Sequence, residues 1–276
     1  MVDDDGMTSP APTLQQLPST WDAVAPTYGE DIAQWTAYAD EALRIVAPRA
    51  TDRLLDIATG PGTLALAVAP RVAHVDAVDF SPGMIAELRA RASREGRSNI
   101  DVAVMDAQAL GFPDGGFDVA FCMFGFFFFP DRARAFAEMH RVLRPGGRAL
   151  IATWSPIERR PLMRVGFEAL AEALPQFPRP GKGDLQEPDE CVREMTEAGF
   201  HDVVAQTYSV SVRVDSAEHY LDLIARSAAP FAVMRKKLGE ETWAMAMARV
   251  LEALRPKIPA GGTELSAEAI FTHGKR

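Results

Sequence analysis

The residues here whose types and spacing could do chemistry are three aspartates, Asp56, Asp79 and Asp106, with Gly60 and Gly62 between the first two. Leu54-Leu55-Asp56-Ile57-Ala58-Thr59-Gly60-Pro61-Gly62-Thr63 is an apolar run that ends in a carboxylate and then breaks into small residues, the pattern of a buried strand turning tightly into a helix. Gly60 and Gly62 accept positive φ and carry no Cβ, so a ligand can approach the main chain closely. The first turn of the helix predicted over Thr63 to Ala69 leaves N–H groups free to meet polar ligand atoms. Asp79 ends the next predicted strand and Asp106 follows the one after it. Carboxylates at three successive strand ends suit a ligand rich in N–H and O–H donors, whereas one alone would read as the cap of the turn behind it.

Two ligand patterns fit the turn. Gly60-Pro61-Gly62-Thr63-Leu64-Ala65 satisfies the dinucleotide pattern G-x-G-x-x-G/A, with Asp79 placed for a ribose. The same letters fit the D-x-G-x-G-x-G pattern of nucleoside-sulfonium binders, with Ala58 at the first Gly, and a strand-to-helix turn without a ligand stays open beside both. The elements that must position these residues alternate. Strands are predicted at Leu54 to Ala58, Val75 to Asp79, Asn99 to Val104, Phe117 to Met123 and Arg148 to Trp154, with helices at Thr63 to Ala69, Met84 to Glu95 and Arg132 to Leu143. Such alternation predicts an α/β fold, a doubly wound and mostly parallel sheet, with the ligand at the carboxyl ends of the strands beside strand one. Ahead of it, Ile32, Trp35, Ala39, Ala42, Leu43 and Val46 predict a helix running from Asp31 to Pro48, preceded by a loop carrying Trp21 and Tyr28.

Composition narrows the partners. A net charge of -9 argues against a sequence-independent grip on nucleic acid, so a small molecule is the expected partner and a homo-oligomer stays open. The longest apolar run, Val119 to Phe129, has eleven residues against the roughly 20 that span a bilayer, so no membrane span is expected. The acidic, Pro-rich start carries no secretory signal, and Cys122 and Cys191 have no disulfide or zinc spacing. No metal site is expected, and the cytoplasm is the expected compartment.

Five motifs in order then carry a resemblance: Leu55-Asp56-Ile57-Ala58-Thr59-Gly60-Pro61-Gly62, Val78-Asp79-Phe80-Ser81-Pro82-Gly83-Met84, Asp106-Ala107, Phe117-Asp118-Val119 and Arg141-Val142-Leu143-Arg144-Pro145-Gly146-Gly147. From Trp21 to Trp154 the chain resembles the class I S-adenosylmethionine-dependent methyltransferases, in particular the small-molecule group that includes quinone-biosynthesis enzymes. The resemblance implies a Rossmann-like seven-stranded sheet and S-adenosyl-L-methionine as cofactor. It implies that Asp79 accepts both ribose hydroxyls, that Phe80 and Met84 pack on the adenine, and that Asp106 and the Ala107 backbone meet the adenine edge. Ala58, Gly60 and the Cys122 carbonyl would line the methionine portion, Asp56 would orient its ammonium, and Tyr28 would close over the sulfonium. Ala58 departs from the family's Gly and adds a methyl where backbone meets ligand. The implied activity is methyl transfer to an O, N or C atom of an apolar or aromatic metabolite. A binder of the same cofactor without transfer and an NAD-dependent oxidoreductase are the alternatives.

The remaining expectations concern the acceptor. Phe124-Gly125-Phe126-Phe127-Phe128-Phe129-Pro130 follows strand four and offers ring surface without the polar groups that would hold a flipped base, and one or two rings should face an acceptor. Of the five histidines only His219 is a candidate base, and no catalytic residue is assigned. Residues 1–20 read as a disordered tail and 21–155 as the cofactor-binding core with its helical cap. Residues 156–276 read as helical lid insertions, including Met163 to Leu174, Ala217 to Ala228 and Phe231 to Leu254, plus strands at Ser209 to Val214 and Glu268 to Thr272 that extend the sheet as an antiparallel hairpin.

Overall fold

The computed structural model describes residues 13, 16–28, 33–175, 183–227, 231, 234–235 and 238–276. Asp31 and Ile32 of the expected second helix, the breaks at Pro178, Pro180 and Gly181, and parts of the stretch expected to be helical from Phe231 lie outside them.

Along the chain run α1 (Pro18–Asp22), α2 (Ala33–Val46), β1 (Arg53–Ile57), α3 (Thr63–Val68), β2 (His74–Asp79), α4 (Pro82–Arg94), β3 (Ile100–Val104), β4 (Phe117–Met123) and α5 (Arg132–Val142). They are followed by β5 (Leu143–Trp154), α6 (Pro161–Ala173), α7 (Pro188–Glu197), β6 (His201–Val214), α8 (Ala217–Ser227), α9 (Glu240–Leu254) and β7 (Thr263–Lys275). The seven strands form one sheet in the order β3-β2-β1-β4-β5-β7-β6, parallel from β3 to β5, with β7 antiparallel to both of its neighbours.

The two-residue period of each strand sorts its side chains to opposite faces. Leu54, Val119, Phe121, Leu150 and Phe271 meet α2, α3 and α4 on one face, while Leu55, Ile57, Ala120, Ile151 and Ile270 meet α5 and α7 on the other. Both faces are covered, as a parallel sheet requires. A third cluster joins Leu162 and Leu170 of α6, Tyr220 of α8, and Trp243, Val250 and Leu254 of α9 to Val214 and Leu265 at the ends of β6 and β7. These helices therefore gather at the sheet edge where β5 ends.

The structure differs from the sequence reading in several places. β5 starts at Leu143 and not at Arg148, and Gly239 at φ +76° starts α9 inside the stretch expected to be one helix. Three further segments depart from it. Pro18–Asp22, partly inside the expected tail, is a helical turn with Pro at its start and Thr20 buried. It is held because Asp22 Oδ1 accepts hydrogen bonds from Ser81 Oγ at 2.6 Å and Gly83 N–H at 2.8 Å. Pro188–Glu197 is a helix the periodicity does not reveal, since only Cys191 and Met195 are buried among its charged residues. Finally, β6 and β7 are 14 and 13 residues long, extending well beyond their expected apolar centres because each pairs along its whole length.

Candidate functional site

The carboxyl ends of β1, β2 and β4 open into a cavity of about 500 Å³, within the roughly 300–1,000 Å³ range of small-molecule sites. The turn after β1 shapes its floor. Gly62 has φ +86°, and a Cβ there would stand 2.1 Å from Leu88 Cδ1, so only glycine allows α3 to start against α4. Ala58 sits at φ +53° in the left-handed region, and Phe124 after β4 does the same at φ +59°. Two non-glycine residues strained in this way at neighbouring strand ends mark the place where the surrounding structure dictates the backbone. Ala58's methyl has room because residue 125 is glycine: a Cβ on Gly125 would lie 2.8 Å from it and 2.8 Å from Cys122 Sγ.

One end of the cavity is built from carboxylates and main chain. Asp79 is buried and accepts from Gly60 N–H and Ser81 N–H, both at 2.9 Å, which ties the glycine turn to the start of α4. Burial pushes its carboxyl up to about 6 against those hydrogen bonds. Asp56 is buried deeper, accepts from Thr59 Oγ1 at 2.7 Å, and is pushed by desolvation to about 7, with the Asp79 charge adding to the rise. Two buried carboxylates without a cation between them form a site that gains by receiving hydroxyl or ammonium donors. Asp106 is exposed, held by Gln108 N–H at 2.9 Å, and stands beside buried Ala107. Phe80 and Met84 line the same end, below the Ser81 side chain that caps α4 by accepting from Met84 N–H at 3.1 Å.

The other end is aromatic. Phe128, Trp21, Tyr28, Trp35 and Phe124 all line the cavity and touch in that order, with ring centres 5.2, 5.8, 6.2 and 5.3 Å apart. They form a collar whose middle comes from the N-terminal segment clamped by Asp22. Burial, followed by the nearby Asp79 charge, pushes the Tyr28 hydroxyl up to about 12, so it remains a neutral donor. Phe126 turns instead into the core, 4.1 Å from Phe136, so Phe124, Phe128 and Phe129 supply the ring surface expected from this run.

The structure brings Tyr28, Asp56, Ala58, Gly60, Asp79, Phe80, Met84, Asp106 and Ala107 around this one cavity. Cys122, whose carbonyl the resemblance implies there, is not among the lining residues: its thiol is fully buried and held protonated by desolvation, and Met123, Phe124 and Gly125 form the wall at that strand end. His219 also lies elsewhere, exposed at the start of α8, where its Nδ1 accepts from Asp215 N–H at 3.2 Å. Among the described residues no histidine lines the cavity, and none after Pro130 does. Gln16, Pro18, Trp35 and Gln108 do line it, although no motif marks them. Their place is set by folding of the N-terminal segment and the β3–β4 connection. His74, Asp76 and Asp101 gather at the opposite, amino ends of β2 and β3, where Arg53 Nε donates to Asp76 at 2.9 Å and makes the group an ion-pair cluster.

Comparison with known proteins gives the geometry its relatives. A family model described as a methyltransferase domain matches residues 54–147. The chain is 31% identical over 204 residues to the aklanonic acid methyltransferase DauC of Streptomyces sp. strain C5, covering 67% of this chain and 92% of that one. It is 39% identical over 132 residues to the demethylmenaquinone methyltransferase of Thermus thermophilus, covering 47% of this chain but only 58% of that one. The chain thus spans little more than half the length of that relative. Among solved structures, the [4+2]-cyclase SpnF superposes with a TM-score of 0.61 at 21% identity over 97% of each chain, a likeness of fold.

Proposed function

The chain belongs to the class I S-adenosylmethionine-dependent methyltransferases, and from that premise we propose that it moves a methyl group from S-adenosyl-L-methionine to an O, N or C atom of an apolar or aromatic small molecule. The observation that carries this reading is the division of one cavity into a carboxylate end and an aromatic end. Bound there, the cofactor supplies an electrophilic methyl carbon on a sulfonium. The chain's own task is to bind, align and exclude water, since in-line displacement gains most from orientation.

The carboxylate end fits such a cofactor in chemistry as well as in size: Asp56 and Asp79 are buried carboxylates without a cation, whose oxygens can accept further hydroxyl or ammonium donors, and Gly60 leaves the backbone open. Asp79 would take the ribose hydroxyls, Asp106 and Ala107 the adenine edge, Phe80 and Met84 its face, and Asp56 the ammonium. Tyr28, Ala58 and Gly60 would surround the remainder of the methionine chain. The aromatic collar would seat the acceptor against the methyl, with α6, α8 and α9 as a lid beyond it. The lining residues include no histidine or lysine, so the acceptor is expected to be one that arrives ionised or needs no general base. The test is transfer of isotope from methyl-labelled cofactor to a small-molecule extract, run beside calorimetry of cofactor binding. Binding with label in a small molecule supports the reading; binding without transfer to any fraction leaves a non-transferring binder in its place.

A further inference from the structure

Arg160, at the turn into α6, is 8% exposed, yet among the described residues its side chain has no ion pair and no hydrogen bond. Its neighbours show how unusual that is, because Arg159 pairs with Glu268 at 3.4 Å and Arg164 with Glu168 at 3.9 Å. The guanidinium instead lies 5.6 Å from the ring centre of Trp154. The Glu158 charge acts on it from two residues away without closing an ion pair, and a buried guanidinium whose Nε has no acceptor is costly to keep and able to receive a further anion. Desolvation pulls its pKa down to about 10, which leaves it charged at neutral pH.

Trp154 links this cation to the cavity wall. Its ring also stacks on Phe124 with centres 4.2 Å apart and meets Trp35 at 5.8 Å, and both of those rings line the cavity. Trp154 itself is only half-buried. Trp35 brings a second orphan, for its Nε1 is buried without an acceptor. Two unpaired donors thus flank one indole at the aromatic end, where the lining carboxylates do not reach.

We propose that the acceptor site continues past Trp154 to Arg160, and that the acceptor is an aromatic acid whose carboxylate is anchored by the Arg160 guanidinium, far from the atom that receives the methyl. This rests on the methyltransferase reading and names its substrate class. A planar guanidinium offers paired N–H donors that match a carboxylate, while the rings of Phe124, Trp35 and Trp154 suit the attached ring system. Arg160 is then a specificity-determining residue, and Trp154, whose ring touches both it and Phe124, is the side chain that moves aside for the acceptor.

The experiment uses the full chain saturated with S-adenosylhomocysteine and three probes on one ring system: 2-naphthoate, 2-naphthol and methyl 2-naphthoate. Calorimetry and tryptophan fluorescence are expected to show naphthoate binding at least about tenfold tighter than the neutral ester. Arg160→Met should abolish that preference and Arg160→Lys retain part of it, with cofactor affinity unchanged in both. Equal binding of acid and ester to the native chain, or no binding of the acid, overturns the proposal without needing a variant. So does a preference that survives Arg160→Met, which would leave the guanidinium as packing on Trp154. Failure of the native chain to bind S-adenosylmethionine would instead defeat the underlying methyltransferase reading.

Discussion

The two ends of the cavity are made differently. At the carboxylate end nearly every polar group is committed through a directional bond: Gly60 and Ser81 N–H to Asp79, Thr59 to Asp56, Gln108 to Asp106. At the aromatic end Phe124, Trp35, Trp21 and Phe128 meet edge to face through ring contacts, while Trp35 Nε1 and the nearby Arg160 Nε have no acceptor. Directional bonding needs particular residue types at particular spacings, whereas ring packing tolerates many arrangements of similar volume. The first end can therefore serve one fixed ligand and the second can be shaped to an acceptor.

The sharpest way to break this contrast is at Asp79. Replacing it with Ala removes an acceptor for cofactor hydroxyls, each such charge-assisted bond being worth roughly 1.5–3 kcal/mol. Cofactor affinity should drop at least about tenfold, and more if both hydroxyls are lost, with the circular dichroism unchanged. A calorimetric affinity equal to that of the native chain would remove Asp79 from the site.

The seam between the ends is the Ala58–Gly125 contact. Gly125→Ala should cost about 1–3 kcal/mol in denaturant unfolding, because the new methyl has no room beside Ala58 and Cys122. In an Ala58→Gly background the same change should cost less. Strict additivity of the two changes would mean that the ends are not coupled at this point.

Protonation distinguishes the ends as well. Asp56, pushed to about 7, and Asp79, to about 6, are raised above the unfolded carboxyl value, so the folded chain holds protons there that the unfolded chain has released. Stability of the cofactor-free chain should therefore fall as pH rises from about 4 to about 7, by at most about 1.4 kcal/mol per pH unit for each group. Cofactor affinity should rise across the upper part of that window, since the ionised acids are the better acceptors. Asp56→Asn should flatten both profiles; unchanged profiles in that variant would place the titration elsewhere.

The smallest effect is expected at Asp22. Asp22→Ala removes the clamp to Ser81 and Gly83, worth about 1 kcal/mol. Amide exchange over residues 18–28 should quicken, and added cofactor should restore part of the protection. Equal exchange with and without cofactor would make Tyr28 a fixed part of the wall and not a cover.

Much of this contrast was readable from the sequence. The strands from β1 to β4 lie within a residue of their expected bounds, because the apolar runs of β1, β2 and β4 are buried and all four are bounded closely by Gly, Asp or Asn, which alone mark the half-exposed edge strand β3. The carboxylate end follows from the same pattern, since each acid directly ends or follows a strand. Nothing local marks the aromatic end. Trp35 looks like one more member of an amphipathic stripe, and Pro18 like part of a polar tail, until Asp22 finds Ser81 at a separation of 59 residues. Arg160 resembles its neighbour Arg159 in sequence, yet once folded it is buried without an ion pair while Arg159 is exposed and paired with Glu268. The Cys122 side chain lies outside the cavity lining because its thiol turns to the core side of Gly125, whereas the role the resemblance implies for this residue belongs to its backbone carbonyl.

The sheet order also governs how the molecule can be made. β7 follows β6 in sequence, yet it sits between β5 and β6 and pairs with both. During vectorial synthesis the β5 edge, including Ile151 and Thr153, has no partner strand until residues 263–275 have left the ribosome, and β6 has no strand to pair with. Residues 143–262 must therefore emerge with a sticky edge waiting, the situation in which chaperone capture competes with self-association. A nascent chain stalled before Thr263 should be readily digested by protease across β6 and α8, and full resistance at that length would contradict this order of events.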